Sequence, residues 1–246
     1  MLSNLRQSLC LKLQPVAVWK GNALPPEVVE TGGTGGCLIP ALEKAAKGTP
    51  TVFSQETVGC PGGRQGLGLT RQAMEGMDRF LSTGTETRPG MGYKKDPAMA
   101  ACYLKTLPAS QPARYVAFYP LDQLPEGLTP TAVIFLVNAH QLSALATLAN
   151  YDQADGRGVE LRFGAGCAQA VLYSLCHAEA GEDVCTIGLT DPSARIHLEQ
   201  GELLSFSVPY RRCLTMEAQA AESFLVKGVW RQIQKELCSS PAAPLP

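Results

Sequence analysis

The chain of 246 residues carries 21 Lys and Arg against 22 Asp and Glu, which gives a formal net charge of −1. These charges are spread along the chain without the basic stripe that neutralises a phosphate backbone, so we expect no nucleic-acid partner. No run approaches the roughly 20 apolar residues that span a bilayer, and polar residues interrupt the N-terminal stretch where a signal peptide has an unbroken apolar core. The sequence therefore predicts a cytoplasmic protein that does not bind a membrane.

Hydrophobic spacing in the first half predicts short helices and strands between Gly- and Pro-rich breaks. Ser3 is a suitable N-cap for an amphipathic helix over residues 3–13. Residues 21–36, with two prolines and five glycines, predict a long loop that ends at Cys37, where a helix should begin. Residues 83–95 predict an exposed, mobile loop or lid. The other predicted elements are strands at residues 16–19 and 51–55 and helices at residues 71–82 and 97–107.

Strands and helices alternate more clearly in the second half. The predicted strands are residues 115–119, 132–137, 159–163, 184–189 and 203–208, and the predicted helices are residues 138–150, 168–180 and 216–237. This alternation predicts an α/β fold with a single compact domain over residues 1–238, in which helices cover a mixed or largely parallel sheet. Residues 239–246 predict a disordered tail, and the sequence shows no convincing internal repeat.

The chain contains nine cysteines, an odd number without the regular spacing of a small secreted protein, which indicates reduced thiols or metal thiolates. Three of them lie among apolar neighbours, where free cysteine packs as a small hydrophobe, namely Cys10, Cys176 and Cys213. Three others each lie in a glycine-rich turn just before a predicted helix, namely Cys37, Cys60 and Cys167. The second group is the candidate functional site.

The setting of these three cysteines favours anion and metal chemistry. Backbone N–H groups and the helix dipole at a helix start favour the thiolate, which attacks electrophiles and binds metals, so these thiols are expected to lose their protons easily. Strand-to-helix turns of open α/β sheets gather outside the carboxyl ends of the strands, so the three turns are expected to converge. Glycines let main-chain amides approach an anionic object such as an iron–sulfur cluster.

The sharpest hypothesis is therefore an iron–sulfur cluster bound by Cys37, Cys60 and Cys167, of the [4Fe–4S] type with one open site. It predicts redox or Lewis-acid chemistry on a small anionic ligand, or exchange of electrons with a redox partner. Cys102 and Cys185 are the remaining candidates for the fourth ligand. Zinc is less favoured, because no histidine is well placed beside the cysteines.

Two alternatives stay open at this point. One is a metal-free thiol enzyme or sensor with Cys60 as the nucleophile. The other is a non-catalytic module that binds a small anion or cofactor through the glycine turns. Motifs of the common nucleotide-dependent enzymes, serine hydrolases and zinc proteases are absent from the sequence. The sequence leaves open whether the protein is an enzyme.

Polar residues near the cysteines are candidates for binding the anionic ligand. Gly62, Gly63 and Arg64 directly follow the Cys60 turn, and Arg195 lies in a turn where it can supply a second anion contact. The structural interpretations are a solvated arginine at position 64 and an ion-paired arginine at position 195. None of the three histidines has a placement that assigns it to catalysis.

Several segments together resemble the prokaryotic family of domain of unknown function 169. The specific part is Gly59-Cys-Pro-Gly-Gly-x-x-Gly-Leu-Gly-Leu, and weaker parts are Pro15-Val-Ala-Val, Cys37-x-x-x-Ala-Leu-x-x-Ala, residues 133–145, the Cys167 turn and residues 188–195. The resemblance covers most of the chain. It implies a single α/β module with a cysteine-rich site and brings no established activity. Many relatives carry a further cysteine in the last loop, where this chain has Leu189.

Overall fold

The structure is a computed structural model that describes residues 1–26, 28–30, 37–72 and 74–239. The strands in these ranges are β1 (Val16–Gly21), β2 (Val29–Glu30), β3 (Thr51–Ser54), β4 (Gly84–Thr85), β5 (Arg88–Pro89), β6 (Tyr115–Pro120), β7 (Ala132–Val137), β8 (Val159–Glu160), β9 (Cys185–Gly188) and β10 (Leu204–Pro209). Eight of them form one sheet in the order β2-β3-β6-β1-β7-β10-β9-β8, and β4 and β5 form a separate hairpin.

The helices connect and cover these strands. They are α1 (Ser3–Ser8), α2 (Ile39–Ala46), α3 (Pro61–Gly66), α4 (Met77–Leu81), α5 (Pro97–Lys105), α6 (Ala139–Leu148), α7 (Tyr173–Ala180), α8 (Pro192–Arg195), α9 (Tyr210–Ala220) and α10 (Gly228–Ser239). A π-helical segment, Ala168–Leu172, leads directly into α7, and short 3₁₀ turns follow β6 and α9.

The sheet is mixed, which is one of the two forms that the sequence predicts. The six strands from β3 to β9 in the sheet order pair antiparallel with their neighbours. Parallel pairing occurs at the two ends of the sheet, between β2 and β3 and between β8 and β9. The fold is therefore a single α/β domain, as predicted, in which the strands of the centre alternate in direction.

Apolar sequence explains why the central strands are buried on both faces. Every residue of β7, Ala-Val-Ile-Phe-Leu-Val, is buried, and β6 is buried along all but its first position. Helices therefore cover both faces of the sheet, as continuous apolar strands require. One core lies under α1, α6, α9 and α10, and the other lies under α2, α3, α7 and α8. Cys37 and Cys167 pack against the second core.

Several predicted elements are shorter or divided in the structure. The helix predicted at residues 71–82 is only α4, because Gly76 adopts a left-handed backbone with φ of 76° where that helix begins. The helix predicted at residues 216–237 is α9 and α10, since the side chain of Ser223 caps a new turn between them. The first helix ends at Ser8, and the strand predicted at residues 159–163 ends at Glu160. In the loop predicted at residues 21–36, residues 29–30 form the short strand β2, and residues 27 and 31–36 lie outside the described residues.

The interpretation of Cys10 as a packing residue is wrong. Cys10 forms a disulfide with Cys238 of α10, with 5.4 Å between the two Cα atoms and a sequence separation of 228. The indole N–H of Trp230 supports the same contact by donating to the carbonyl oxygen of Ser8 at 2.8 Å. Cys213, by contrast, is fully buried in the core, as the sequence predicts. No helix among the described residues is long and apolar enough to cross a bilayer.

Removing the disulfide should destabilise the protein. Cys10 has a positive φ of 48°, which glycine adopts without strain, so Cys10→Gly removes the sulfur and suits the backbone. A cross-link that closes so long a loop contributes about 2–4 kcal/mol, so the midpoint of thermal unfolding should fall by about 5–15 °C.

Calorimetry under oxidising conditions measures this shift. The matched control is Cys102→Ser, which changes an exposed free cysteine and should leave the midpoint within about 1 °C. Equal midpoints for Cys10→Gly and the parent protein would contradict a stabilising disulfide.

Candidate functional site

Two glycines let α3 fit between the segments that carry Cys37 and Cys167. A Cβ atom added at Gly63 would lie 2.7 Å from Cδ1 of Leu38, the residue after Cys37. A Cβ atom added at Gly66 would lie 2.5 Å from Sγ of Cys167. Carbon atoms in contact stand about 3.5–4.0 Å apart, so only glycine lets the helix approach both segments. The glycine-rich sequence of α3 therefore brings three distant parts of the chain together.

Cys60 is the N-cap of α3. Its backbone is extended, Pro61 occupies the first turn of the helix, and Sγ accepts a hydrogen bond from the N–H of Gly63 at 3.3 Å. The thiol of Cys167 donates to the carbonyl oxygen of Gly62 at 3.5 Å. The first turn of α3 thus contacts two of the three predicted thiols.

Cys37 lies immediately before α2 and is partly buried. Burial raises the pKa of its thiol, and the negative charges of Cys60 and Asp191 raise it further. The backbone N–H groups of Ile39 and Leu38 act in the opposite direction, as expected at a helix start. The helix start does favour the thiolate, but burial outweighs it.

Cys167 lies in the first helical turn before the π-helical segment. Burial raises the pKa of its thiol to about 12, and the charges of Cys60 and Cys37 add to that effect. The expectation that the helix start makes these thiols lose their protons easily is therefore wrong for Cys37 and Cys167. The charge of Cys60 contributes to both shifts, which agrees with a position of Cys60 near Cys37 and Cys167.

Gln169 fixes the turn that carries Cys167, and its side chain is fully buried. Its Nε2 donates to the carbonyl oxygen of Arg162 and to the hydroxyl of Thr190, both at 2.7 Å. Its Oε1 accepts from the N–H of Thr190 at 3.0 Å. The amide thereby joins the segment after β8, the helix of Cys167 and the loop after β9.

Asp191, the N-cap of α8, is a buried carboxylate beside the turn that carries Cys167. Its Oδ2 accepts from the N–H of Gly166, next to Cys167, at 3.0 Å. Its Oδ1 accepts from the N–H of Ser193 at 2.9 Å and from the hydroxyl of Tyr93 at 2.8 Å. Asp191 is therefore both a neighbour of the thiols and the link between three segments. An Asp-Pro dipeptide after a strand was the available sequence signal, since it favours an N-cap.

Side chains from the predicted lid, from α5 and from α7 meet at Phe163, on the rim of the site. The hydroxyls of Tyr103 and Tyr173 donate to the carbonyl oxygen of Phe163 at 3.1 and 2.8 Å. The ammonium group of Lys94 lies 4.2 Å from the centre of the Phe163 ring and 4.8 Å from that of Tyr103. Burial raises the pKa of Tyr103, and the charge of Cys167 adds to it, so this rim is near the thiols.

The two arginines predicted to contact an anion both bind backbone carbonyls. Arg64 is exposed, and its Nε donates to the carbonyl oxygen of Val58 at 2.7 Å. Arg195 donates from Nη1 to the carbonyl oxygens of Leu189 and Leu203 at 3.2 and 3.3 Å and also binds Gly201 through Nη2. Each arginine therefore stabilises the loop in which it lies.

The structure separates both cysteines named as candidates for a fourth ligand from the other three. Cys102 lies exposed on α5. Cys185 is buried in the core on the opposite face of the sheet from Cys37 and Cys167. Leu189 is fully buried in the core beneath α3, α7 and α8 and adopts a left-handed φ of 59°. Neither cysteine candidate accompanies the three thiols.

The three turns meet for a different reason from the one the sequence suggests. Cys60 follows β3 and Cys167 follows β8, and four antiparallel strands separate β3 from the parallel pair of β9 and β8. Alternating strand directions place the carboxyl ends of β3 and β9 at opposite edges of the sheet. The turns meet because α3 packs against the π-helical segment Ala168–Leu172 over the face of the sheet.

A model of the family of domain of unknown function 169, described as "uncharacterised ArCR", matches residues 4–219. No curated protein and no solved structure matches the chain. Among the described residues, no group of three or more His, Cys, Asp or Glu side chains is arranged to hold a metal ion.

Gly66→Ala should destabilise the protein, because the new Cβ would lie 2.5 Å from Sγ of Cys167 and 3.0 Å from the backbone nitrogen of Ala168. Overpacking of this kind costs about 1–3 kcal/mol. The matched control is Gly62→Ala on the same helix, whose Cβ would have only ordinary contacts at 3.9 and 4.0 Å. In thermal unfolding, Gly66→Ala should have a lower midpoint than Gly62→Ala. A Gly66→Ala variant as stable as Gly62→Ala would refute the close contact.

Alkylation should follow the protonation states of the thiols. In reduced, metal-free protein at pH 7.5, iodoacetamide should modify exposed Cys102 first, and among the three site thiols it should modify Cys167 last, because Cys167 has a pKa of about 12 and a protected thiol. The rate of alkylation at Cys167 should rise about tenfold per pH unit between pH 7 and 9. Peptide mass spectrometry measures the order, with urea-unfolded protein as the control in which all thiols react. Equal rates at Cys167 and Cys102 in the folded protein would contradict the environment described.

Proposed function

The chain belongs to the family of domain of unknown function 169. We propose that this chain holds an iron–sulfur cluster at Cys37, Cys60 and Cys167. The proposed chemistry is redox or Lewis-acid action on a small anionic ligand. The observation that carries the proposal is that the thiols of Cys60 and Cys167 both contact the first turn of α3, while Leu38, next to Cys37, packs against Gly63 of the same helix. Packing alone does not require a cysteine at each of these turns.

Charge balance supports a positively charged occupant. Ligand thiols bind iron as thiolates, so each must lose its proton on binding. Burial raises the pKa of Cys37 and of Cys167, and the charge of Cys60 raises both further, so the thiolates are disfavoured when no cation is near. The hydrogen bonds that Arg64 donates through Nε and Arg195 donates through Nη1 go to backbone carbonyls. A cluster of iron ions supplies the missing positive charge.

The backbone around Cys60 suits a cluster ligand. The N–H of Gly63 already donates to Sγ of Cys60, and hydrogen bonds of this kind stabilise thiolate charge and tune a cluster's potential. The side of α3 that lacks Cβ atoms also lets main-chain groups come close to an anionic group. A single ion needs all its thiolates within about 2.3 Å of one point, whereas a cluster spreads its ligands over several irons.

The rim suits a small anionic ligand. Lys94 holds its ammonium group over the rings of Tyr103 and Phe163, beside the turn that leads to Cys167. A cation in this position attracts an anion toward the thiols, and partial removal from water strengthens that attraction. The hydrogen bond from Tyr93 to Asp191 keeps this segment against the site. Water exclusion and charge attraction are thus the roles we assign to the predicted lid.

Anaerobic reconstitution with iron and sulfide tests the proposal. We expect about four iron and four sulfide per chain and a brown protein with broad visible absorption, as for one [4Fe–4S] cluster. Cys60→Ser and Cys167→Ser should each lower the iron content by more than half, since one thiolate is lost from a set of three. Cys102→Ser, on exposed α5, should retain the iron content of the parent.

A colourless, iron-free protein after reconstitution would overturn the proposal. Equal iron content in the parent and in Cys37→Ser, Cys60→Ser and Cys167→Ser would also overturn it, because the iron would then lie elsewhere. Thermal unfolding of each variant before reconstitution separates loss of a ligand from loss of the fold.

One observation favours metal-free thiol chemistry as the second candidate. Sγ of Cys60 is partly exposed and accepts the N–H of Gly63, an arrangement that stabilises a thiolate nucleophile. This candidate predicts that Cys60 is the first of the three site thiols to be alkylated in iron-free protein. Rapid modification of Cys60 in a protein that takes up no iron would favour it over the cluster.

A further inference from the structure

The two halves of the main sheet have the same connectivity. Outward from the centre, one half reads β1, β6, β3, β2 and the other reads β7, β10, β9, β8. In each half the first strand in the chain lies at the centre, followed by the fourth, the third and the second. The outermost pair is parallel in both halves, and the other pairs are antiparallel. A two-fold axis perpendicular to the sheet, between β1 and β7, relates the two halves.

The strand registers repeat as well. Pro120, the last residue of β6, pairs with the first residue of β1, and Pro209, the last residue of β10, pairs with the first residue of β7. Phe118 pairs with the first residue of β3, and Ser207, at the same position of β10, pairs with Thr186 of β9. Identical register in both halves shows an internal repeat that the sequence pattern did not reveal.

The repeat also relates the residues of the candidate site. After the second strand of each half, the chain reads Cys37-x-x-x-Ala-Leu and Cys167-x-x-x-Val-Leu. After the third strand of each half it reads Cys60-Pro-x-x-Arg and Asp191-Pro-x-x-Arg. Cys37 therefore corresponds to Cys167, and Cys60 corresponds to Asp191.

The local geometry of the second pair agrees with this correspondence. Cys60 is the N-cap of α3, and Asp191 is the N-cap of α8, each with a side chain that accepts from a helical N–H. Arg64 donates to the carbonyl oxygen of Val58, and Arg195 donates to that of Leu189. Each arginine thus reaches back six residues to the same point of its loop.

We infer that Asp191 is the fourth ligand of the site, in the position that the repeat assigns to Cys60 in the other half. The inference rests on the proposed function and names the group that completes it. Asp191 is buried, and its charge acts on Cys37 across the site. Its Oδ2 has one hydrogen-bond donor, the N–H of Gly166, and keeps a lone pair for iron.

An aspartate in this position gives the fourth iron a different character from the others. A carboxylate oxygen is a harder ligand than a thiolate and is matched less well to iron in a cluster. The bond from Asp191 to this iron is therefore the one that an incoming anionic ligand displaces. With Asp191 bound, every iron has a protein ligand, and an anion can still bind at the iron that Asp191 holds. This arrangement needs no fourth cysteine.

Iron release to a chelator tests this assignment in the reconstituted full chain. Parent protein should lose one of its irons to EDTA well before the rest. Asp191→Cys, which copies the N-cap found at Cys60, should slow that first release about tenfold or more, because a thiolate replaces the carboxylate. Asp191→Asn should speed it, and Mössbauer spectra should show one iron changed in each variant.

Ser193→Ala is the matched control, since it removes the hydroxyl's hydrogen bond to Oδ1 of Asp191 and keeps the carboxylate. Its first release should stay within about twofold of the parent. Should Asp191→Asn fail to fold, Asp191→Cys and the parent carry the comparison. The parent protein could hold a full cluster while Asp191→Cys shows the same iron release and the same Mössbauer spectrum. That result would overturn the role of Asp191 but not the proposed cluster. A parent that takes up no iron would overturn the proposed function itself.

Discussion

The close approach of α3 to the helix of Cys167 is the contact on which the rest of the site depends. At Gly66 the space between the two is smaller than one methyl group, and protein interiors have little free volume with which to relieve an overlap. This contact crosses the face of the sheet and joins its two halves. The positions of Cys60, at the start of α3, and of Cys167, on the facing helix, therefore depend on that packing.

Burial and like charge together define the chemistry of the site. The same packing that brings the thiols together removes them from water, so the pKa of Cys37 and that of Cys167 both rise. Asp191 adds a carboxylate whose hydrogen bonds to backbone and hydroxyl donors allow it to remain buried. The site thus combines one buried carboxylate with thiols whose neutral form is favoured.

The sequence predicts the parts of this molecule that local patterns determine. Strand β7 begins and ends where its apolar run does, and the Pro-Gly-Gly sequence after Cys60 indicates the turn correctly. The contacts of Gln169 with Thr190 and of Asp191 with Gly166 could not be recognised, because 21 and 25 residues separate the partners in the chain and only the folded sheet brings them near. The repeat was hidden for a related reason: its halves share register and connectivity but few side chains.

The insertion of residues 70–107 belongs to only one half of this two-fold arrangement. It separates α3 from the fourth strand of the first half, while in the second half α8 leads to β10 over a short connection. Tyr93 and Tyr103 of this insertion lie on the side of Asp191 and Cys167. The insertion therefore gives the two-fold related positions different surroundings, because it packs beside Asp191 and Cys167 of the second half.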